Sequence, residues 1–212
     1  MTDAATSRYS QYLIPLVKPF SNFDVPFIAS FRRSAIAHLE LRKGDRVVDV
    51  GCGSGGSFRH LRGAVGDDGD VVGVELSPSV AALAKRRVAK NQWRNVKVIE
   101  GPAQTARLDG LFDAAIMFGA NEIFTLKEAV ENIFMQLKPG GRVVVMGAKL
   151  AEGGPARALN PLFRTMTSAL MLPSTPTMTS KPFALLQDRM AEFHIRELAG
   201  GLLFVIWGTI KT

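Results

Sequence analysis

The stretch that decides the fold is Val47-Val-Asp-Val-Gly-Cys-Gly-Ser-Gly-Gly56, in which a β-branched strand runs into a glycine-rich loop. Glycine lets the backbone turn sharply and lets a ligand approach where a Cβ would collide. We expect a helix to follow, so that loop amides and the helix N-terminus offer donors to a polar or anionic group. Gly51, Gly53 and Gly56 also satisfy the GxGxxG pattern of dinucleotide-binding loops. The stretch therefore predicts a ligand pocket at the end of a strand.

Two carboxylates near this loop narrow the kind of ligand. Glu75 ends the next strand, where its carboxylate can accept hydrogen bonds from both hydroxyls of a ribose. Asp49 stands two residues before the first glycine, where it can face a cationic ligand or orient loop amides. Pyrophosphate binding does not call for an extra negative charge at that point. The pattern indicates an adenosine-containing cofactor.

Short apolar runs alternate with segments of helical length along the chain. Such alternation predicts βαβ units and a parallel sheet. A Gly-Gly connection near the end of the chain favours an antiparallel hairpin, because glycine accepts positive φ. The predicted strands are 46–50, 71–75, 96–100, 113–118 and 142–146, followed by hairpin strands at 193–198 and 202–210.

Local signals predict where the helices begin and end. Apolar spacing from Pro26 to Glu40 indicates an amphipathic helix, and Ser77-Pro78 reads as an N-cap followed by the first helical residue. Thr125-Leu-Lys-Glu128 fits a capping box. Lys138-Pro-Gly-Gly141 is expected to stop that helix and turn the chain into the fifth strand.

The motifs together resemble those of class I S-adenosylmethionine-dependent methyltransferases. Residues 41–55 resemble the first motif of that family, and Glu75, Gly101-Pro-Ala-Gln104, Leu111-Phe-Asp113 and Leu137-Lys-Pro-Gly-Gly141 match later landmarks in the family's order. The resemblance implies an α/β fold with a Rossmann-like, seven-stranded, mostly parallel sheet, helices on both faces and an antiparallel last strand. It implies S-adenosyl-L-methionine as cofactor and S-adenosyl-L-homocysteine as product. The closing segment 198–208 resembles the quinone-biosynthesis and phospholipid N-methylating branches.

The resemblance also implies a set of cofactor-binding positions. Asp49 and the first loop glycines would surround the methionine moiety, with Cys52 covered by the ligand, and Glu75 would hold the ribose. The family often has Asp where this chain has Ala103, beside the adenine. For Phe118 the alternative is simple core packing. The implied set is Asp49, Gly51, Cys52, Gly53, Gly55, Glu75, Leu76, Ala103, Gln104, Phe118 and Gly119.

Methyl transfer by such an enzyme needs few catalytic side chains. The sulfonium carries a good leaving group, so alignment supplies much of the acceleration, and a base is needed only for a protonated acceptor. Asn121 and Glu122 are the candidates for polar or acid–base contact, the alternative being a helix-capping role. His38, His60 and His194 lack metal-ligand spacing, so no metal site is predicted.

The substrate side is expected to be apolar. The segments 1–45 and 151–182 carry many apolar side chains, among them Tyr9, Tyr12, Phe163 and Met166. Such side chains can bind a small lipophilic acceptor, and the alternative is that they pack on the core. We predict one domain with four parts. These are an N-terminal substrate-side segment (1–45), a cofactor-binding core (46–150), a lid (151–182) hinged near Gly153, and a closing helix and hairpin (183–212).

Charge and cysteine content suggest partners and compartment. The 212-residue chain has a net charge of +7 and one cysteine, which favours a reducing, cytoplasmic setting and permits peripheral contact with an anionic membrane. The densest basic cluster spans 85–97, and its alternative is a solvated helix face. The absence of an Asn/Asp-Pro-Pro-Tyr signature makes nucleic acid the weaker partner. An RNA methyltransferase, an NAD-binding oxidoreductase and a non-catalytic cofactor-binding protein stay open.

Overall fold

The computed structural model describes residues 26–162, 164 and 179–211. The predicted substrate-side residues Tyr9, Tyr12, Phe163 and Met166 lie outside this range. Helices α1 to α6 span Pro26–Ala37, Phe58–Val65, Pro78–Lys90, Asn121–Phe124, Lys127–Phe134 and Ala184–Arg189. Strands β1 to β7 span Arg46–Val50, Asp70–Glu75, Val96–Glu100, Phe112–Phe118, Leu137–Ala148, Met190–Leu198 and Leu203–Ile210.

The strands form one seven-stranded sheet in the order β3-β2-β1-β4-β5-β7-β6. Strands β1 to β5 pair in parallel, and β7 runs antiparallel to both β5 and β6. The predicted fold is therefore confirmed, including the antiparallel last strand. The hairpin connection contains Gly200 and Gly201 at φ values of 67° and 91°, which is the conformation that favours glycine there.

Helices cover both faces of the sheet, because alternate strand residues point to opposite sides. Apolar residues of α1, α2 and α3 pack on one face with Val47, Val71 and Ile116. Residues of α4, α5 and α6 pack on the other face with Val48 and Met117. Because β1 to β5 are parallel, their carboxyl ends lie at the same end of the sheet, and the glycine loop follows β1 at that end.

Two of the predicted helix boundaries are wrong. Helix α5 is preceded by Leu126 at its N-cap and has no side-chain cap, so the capping box at Thr125–Glu128 does not form. The Thr125 hydroxyl instead donates to the Asn121 carbonyl at 2.7 Å, which closes the short helix α4. Residues 138–141 lie inside β5, and α5 has already ended at Phe134.

Ser77 and Pro78 begin α3 as predicted, although the Ser77 hydroxyl forms no capping bond. In the described part of the lid, Pro155–Leu159 form a 3-10 turn and residues 160–162 are helical. Among the described residues, no helix combines the length and the apolar character needed to cross a bilayer.

Candidate functional site

Three glycines at the carboxyl ends of strands each face open space. Gly53 follows β1, Gly101 follows β3 and Gly119 follows β4, with φ values of 56°, 153° and 70°. A Cβ added at any of the three would meet no heavy atom within 4 Å. Since these backbones face open space, a ligand can lie directly against them.

The loop amides serve the protein itself rather than a ligand. The N–H groups of Gly51 and Cys52 donate to the Val74 carbonyl at 2.8 and 3.0 Å, and that of Gly53 donates to Glu75 Oε2 at 3.0 Å. The expectation that these amides would bind an anion is therefore wrong for these three positions, and it stays a prediction for the rest of the loop and the N-terminus of α2.

Glu75 fixes the shape of the loop while remaining available to a ligand. Its Oε2 accepts the Gly53 amide, and its Oε1 accepts the Ser77 amide at 2.9 Å. Burial raises the pKa of this carboxyl, and the two amides act in the opposite direction. Each carboxylate oxygen has a second lone pair, so both can still accept a hydroxyl.

Asp49 is the most buried charged group of the site, with 1% of its surface exposed. Burial raises its pKa to about 7, against the lowering effects of the Arg32 charge and a hydrogen bond from Ser57. Its Oδ2 has no hydrogen-bond partner among the described residues. A buried acceptor left in this state is costly, and a cationic donor would relieve that cost.

Arg32 is a residue of this site that sequence reasoning missed. It lies on α1, is only 8% exposed, and places its guanidinium carbon 4.8 Å from the centre of the Phe118 ring. A Cβ at Gly56 would come within 2.7 Å of its Nη1, so the guanidinium rests against the loop. The signal was the spacing: Arg32 shares the i, i+3, i+4, i+7 stripe of buried Ala35, Ile36 and Leu39.

Two predicted cofactor contacts face the core instead. The Cys52 side chain is 7% exposed and packs with the α1–α3 layer, and its Sγ contacts the Gly53 carbonyl. A Cβ at Gly55 would lie 2.5 Å from the Phe58 ring. The missing side chain at Gly55 therefore leaves room for Phe58 of α2 rather than for a ligand. The loop turns the Cys52 side chain inward, and the prediction that bound cofactor covers the thiol stays a prediction. Burial also raises its pKa.

The side of the pocket predicted for adenine combines one exposed apolar side chain with a buried turn. Leu76, at the end of β2, is 40% exposed. Ala103 is 6% exposed, and its carbonyl accepts the Asn132 amide at 2.8 Å, which fixes the turn after Gly101. Gln104 is partly exposed beside it. With Ala at 103, the turn offers no carboxylate to a ligand at that position.

Phe118 packs against α1, as the core-packing alternative predicted, and its contact with the cofactor stays a prediction. Its ring meets Phe31 edge-on at 6.4 Å and lies under the Arg32 guanidinium. It therefore joins β4 to α1. Gly119 follows it, and its amide donates to the Met146 carbonyl at 2.8 Å.

The two catalytic candidates differ in what their side chains do. The Asn121 amide is 7% exposed, donates to the Ala148 carbonyl at 2.6 Å and accepts the Ala148 amide at 3.1 Å. That side chain ties α4 to the end of β5 and has a structural role. Glu122 is partly buried, and burial raises its pKa, with the Glu75 charge acting in the same direction. Of the two, Glu122 is the group that can exchange a proton.

Two of the histidines pack on strand β7. The rings of His38 and His194 both stack on the Trp207 ring, with centroid distances of 4.1 and 5.5 Å. In the described part of the chain, no group of three or more His, Cys, Asp or Glu side chains could hold a metal ion. In the basic cluster, Lys85 pairs with Glu100 at 3.1 Å and Arg87 donates to the Gly55 carbonyl.

Comparison with known proteins identifies the family. Residues 47–141 match the model of a methyltransferase domain. Demethylmenaquinone methyltransferase of Geobacillus sp. is 30% identical over 138 residues, 61% of this chain and 59% of that protein. Residues 47–141 belong to the methyltransferase-domain family. The enzyme of the same description from Bacillus mycoides is 29% identical over 119 residues, covering 55% of this chain and 50% of the relative. The match thus spans little more than half of these curated relatives.

A solved structure shares the fold of this chain. Geranyl diphosphate C-methyltransferase of Streptomyces coelicolor, crystallised with Mg²⁺, geranyl-S-thiolodiphosphate and S-adenosyl-L-homocysteine, has a TM-score of 0.70. It is 18% identical, and the match covers 86% of this chain and 76% of that one. The likeness confirms the Rossmann-like architecture.

Proposed function

We propose that this protein transfers a methyl group from S-adenosyl-L-methionine by direct displacement to an O, N or C atom of a small, lipophilic acceptor. The observation that carries the proposal is the set of groups at the carboxyl ends of the strands: Gly53, Gly101 and Gly119 each face open space, and the buried Asp49 and the partly buried Glu75 lie at the ends of β1 and β2. The bound cofactor supplies the methyl group on a sulfonium leaving group. The protein supplies orientation and charge.

The charges of Asp49 and Arg32 beside the loop are complementary to those of the amino acid group of the cofactor. Asp49 has a carboxylate oxygen without a partner, and Arg32 places a buried guanidinium in the same neighbourhood. The α-ammonium group of the methionine moiety would donate to Asp49, and its α-carboxylate would face Arg32. A bidentate or charge-assisted contact of this kind is stronger than a neutral hydrogen bond.

The ribose and adenine lie further along the strand ends in this proposal. Glu75 accepts the ribose hydroxyls through the lone pairs that the Gly53 and Ser77 amides leave available. Leu76 offers an exposed apolar surface to one face of the adenine, and Gln104 offers a polar edge. Phe118 and Gly119 close the side toward the acceptor.

Glu122 is the proposed general base for acceptors that lose a proton. Its raised pKa brings it nearer to neutral pH, where a base exchanges protons most usefully. Asn121 is not proposed as a catalytic group, because its amide is used by Ala148. An acceptor with a free lone pair would need only alignment.

The lipophilic character of the acceptor rests on the chain and on its relatives' names. Leu159 and Leu162, at the described start of the lid, are 50% and 61% exposed, and the curated relatives are named for a quinone substrate. We further propose a cytoplasmic enzyme that reaches such acceptors by peripheral contact with an anionic membrane, favoured by the net charge of +7. A turnover screen of quinols, phospholipid amines and small phenols would identify the acceptor.

Calorimetry with two ligands tests the assignment of the cofactor pocket. S-adenosyl-L-homocysteine carries the amino acid group, whereas 5′-methylthioadenosine lacks it. Arg32→Met should weaken S-adenosyl-L-homocysteine binding by about 10- to 100-fold and leave methylthioadenosine affinity unchanged. Glu75→Ala should weaken both ligands, because both carry the ribose.

The matched control is Arg33→Met, the exposed neighbour of Arg32 on the same helix. It should change neither affinity. If Arg32→Met weakens both ligands equally, the guanidinium does not contact the amino acid group. If Glu75→Ala changes neither affinity, the ribose does not lie at the end of β2.

A further inference from the structure

Strand β6 forms one border of the sheet, and most of its side chains are exposed. Among the described residues it pairs with β7 alone. It is nine residues long, and Ile195 is 38% exposed although it lies within the strand. A long edge strand presents a row of backbone donors and acceptors to any strand that can pair with it.

Several of the usual protections of an edge strand are missing from most of β6. Proteins guard such edges with charged side chains, above all lysine, and with proline, a bulge or a short strand. From Glu192 to Leu198 the strand contains neither Lys nor Pro, and its register with β7 is regular. The one irregularity lies at its start, between Met190 and Glu192. The rest of the edge is therefore able to pair.

The sequence of β6 is complementary to itself in the antiparallel direction. If His194 faces His194 of a second copy, Glu192 faces Arg196 on both sides of the two-fold axis, and Phe193 faces Ile195. Neither Glu192 nor Arg196 forms an ion pair with another described residue. Opposite charges directly across two strands stabilise their pairing.

We propose that β6 pairs antiparallel with β6 of a second copy of this chain, with the two-fold axis at His194. The two seven-stranded sheets then join into one continuous sheet. The charge pattern selects a second copy rather than an unrelated strand, because each copy supplies the charge that the other lacks. This inference rests on the edge strand alone and is independent of the proposed function.

Charge reversal tests the pairing in the full chain by analytical ultracentrifugation. Glu192→Arg should raise the dimer dissociation constant by about tenfold or more, because it opposes like charges twice. Arg196→Glu should do the same. The double variant E192R/R196E again opposes unlike charges and should restore the dimer. Both residues are exposed, so the variants should keep the wild-type melting temperature.

A cysteine at the axis tests the register. In His194→Cys the two new thiols would face each other with Cα atoms about 4.5–5.5 Å apart, within disulfide range. In the control Arg196→Cys they would lie about 14 Å apart along the strand. Mild oxidation should therefore link His194→Cys into a covalent dimer and leave Arg196→Cys unlinked.

A wild-type chain that stays monomeric at its highest soluble concentration would overturn the proposal. A dimer that neither charge reversal weakens, or that links equally well through residues 194 and 196, would overturn it too. Rescue by the double variant, together with linkage at residue 194 alone, would establish it.

Discussion

At the scale of single residues, Asp49 sets how the pocket responds to protons. Its carboxylate is buried, its Oδ2 has no hydrogen-bond partner in the part of the chain that the structure describes, and its pKa is raised to about 7. The folded protein therefore holds this proton more tightly than the unfolded chain does. Between about pH 4 and pH 7, this group's contribution to the free energy of unfolding decreases as pH rises.

Cofactor binding should have the opposite dependence on pH. The α-ammonium of the ligand favours ionised Asp49, so binding displaces the proton. The affinity for S-adenosyl-L-homocysteine should rise by roughly tenfold from pH 5.5 to pH 7 if the pKa is about 7. Calorimetry in two buffers of different ionisation enthalpy should detect the released proton.

Burial also raises the pKa of Glu75, so variants are needed to show which of the two carboxylates causes the pH dependence of binding. Asp49→Asn should flatten the dependence on pH, whereas Glu75→Gln should weaken binding and keep the slope. A slope that persists in Asp49→Asn would assign the titration to another group.

At the scale of elements, the described start of the lid stands apart from the core. Leu159 ends a 3-10 turn and Leu162 lies in the helical residues that follow, and both side chains are exposed. Among the described residues, Asn160 anchors this segment by a reciprocal pair of 3.0 Å hydrogen bonds with Ala151, and Ala156 lies close to Gly200 of the hairpin connection. Apolar side chains exposed on such a segment suit contact with a ligand.

The double variant Leu159→Ser, Leu162→Ser tests this role of the lid. It should raise the acceptor KM by about tenfold with kcat little changed, because it removes binding common to ground state and transition state. The melting temperature and the S-adenosyl-L-homocysteine affinity should stay unchanged. Met135→Ser is the matched control. Met135 is 73% exposed and lies just before the start of β5, whereas the lid follows the end of that strand. An unchanged KM would remove these leucines from the acceptor site.

At the scale of the whole molecule, one ligand connects several elements. The proposed pocket takes residues from α1, from β1, β2 and β4, and from the turn after β3, so a bound ligand links these elements. A ligand that binds only the folded state raises stability by about 2.7 kcal/mol at a concentration of 100 times its dissociation constant.

Thermal unfolding should therefore identify the cofactor. Saturating S-adenosyl-L-homocysteine should raise the melting temperature by roughly 5–10 °C for a chain of this size. NADH should produce no shift, because the Gly51, Cys52 and Gly53 amides are already bonded within the protein. A shift with NADH and none with S-adenosyl-L-homocysteine would reverse the assignment of the pocket.

The sequence by itself predicted the strands, their parallel arrangement and the glycine loop at which the pocket is proposed. The β-branched runs, the loop at Gly51–Gly55 and the hairpin glycines are local patterns, and local patterns depend on residues close together in the chain. Only the tertiary structure decided where side chains point. It turned Cys52 toward the core, bonded Asn121 to Ala148, and placed Arg32 beside Asp49. Those contacts join residues distant in sequence, and the packing of α1 and β5 against the neighbouring strands sets their geometry.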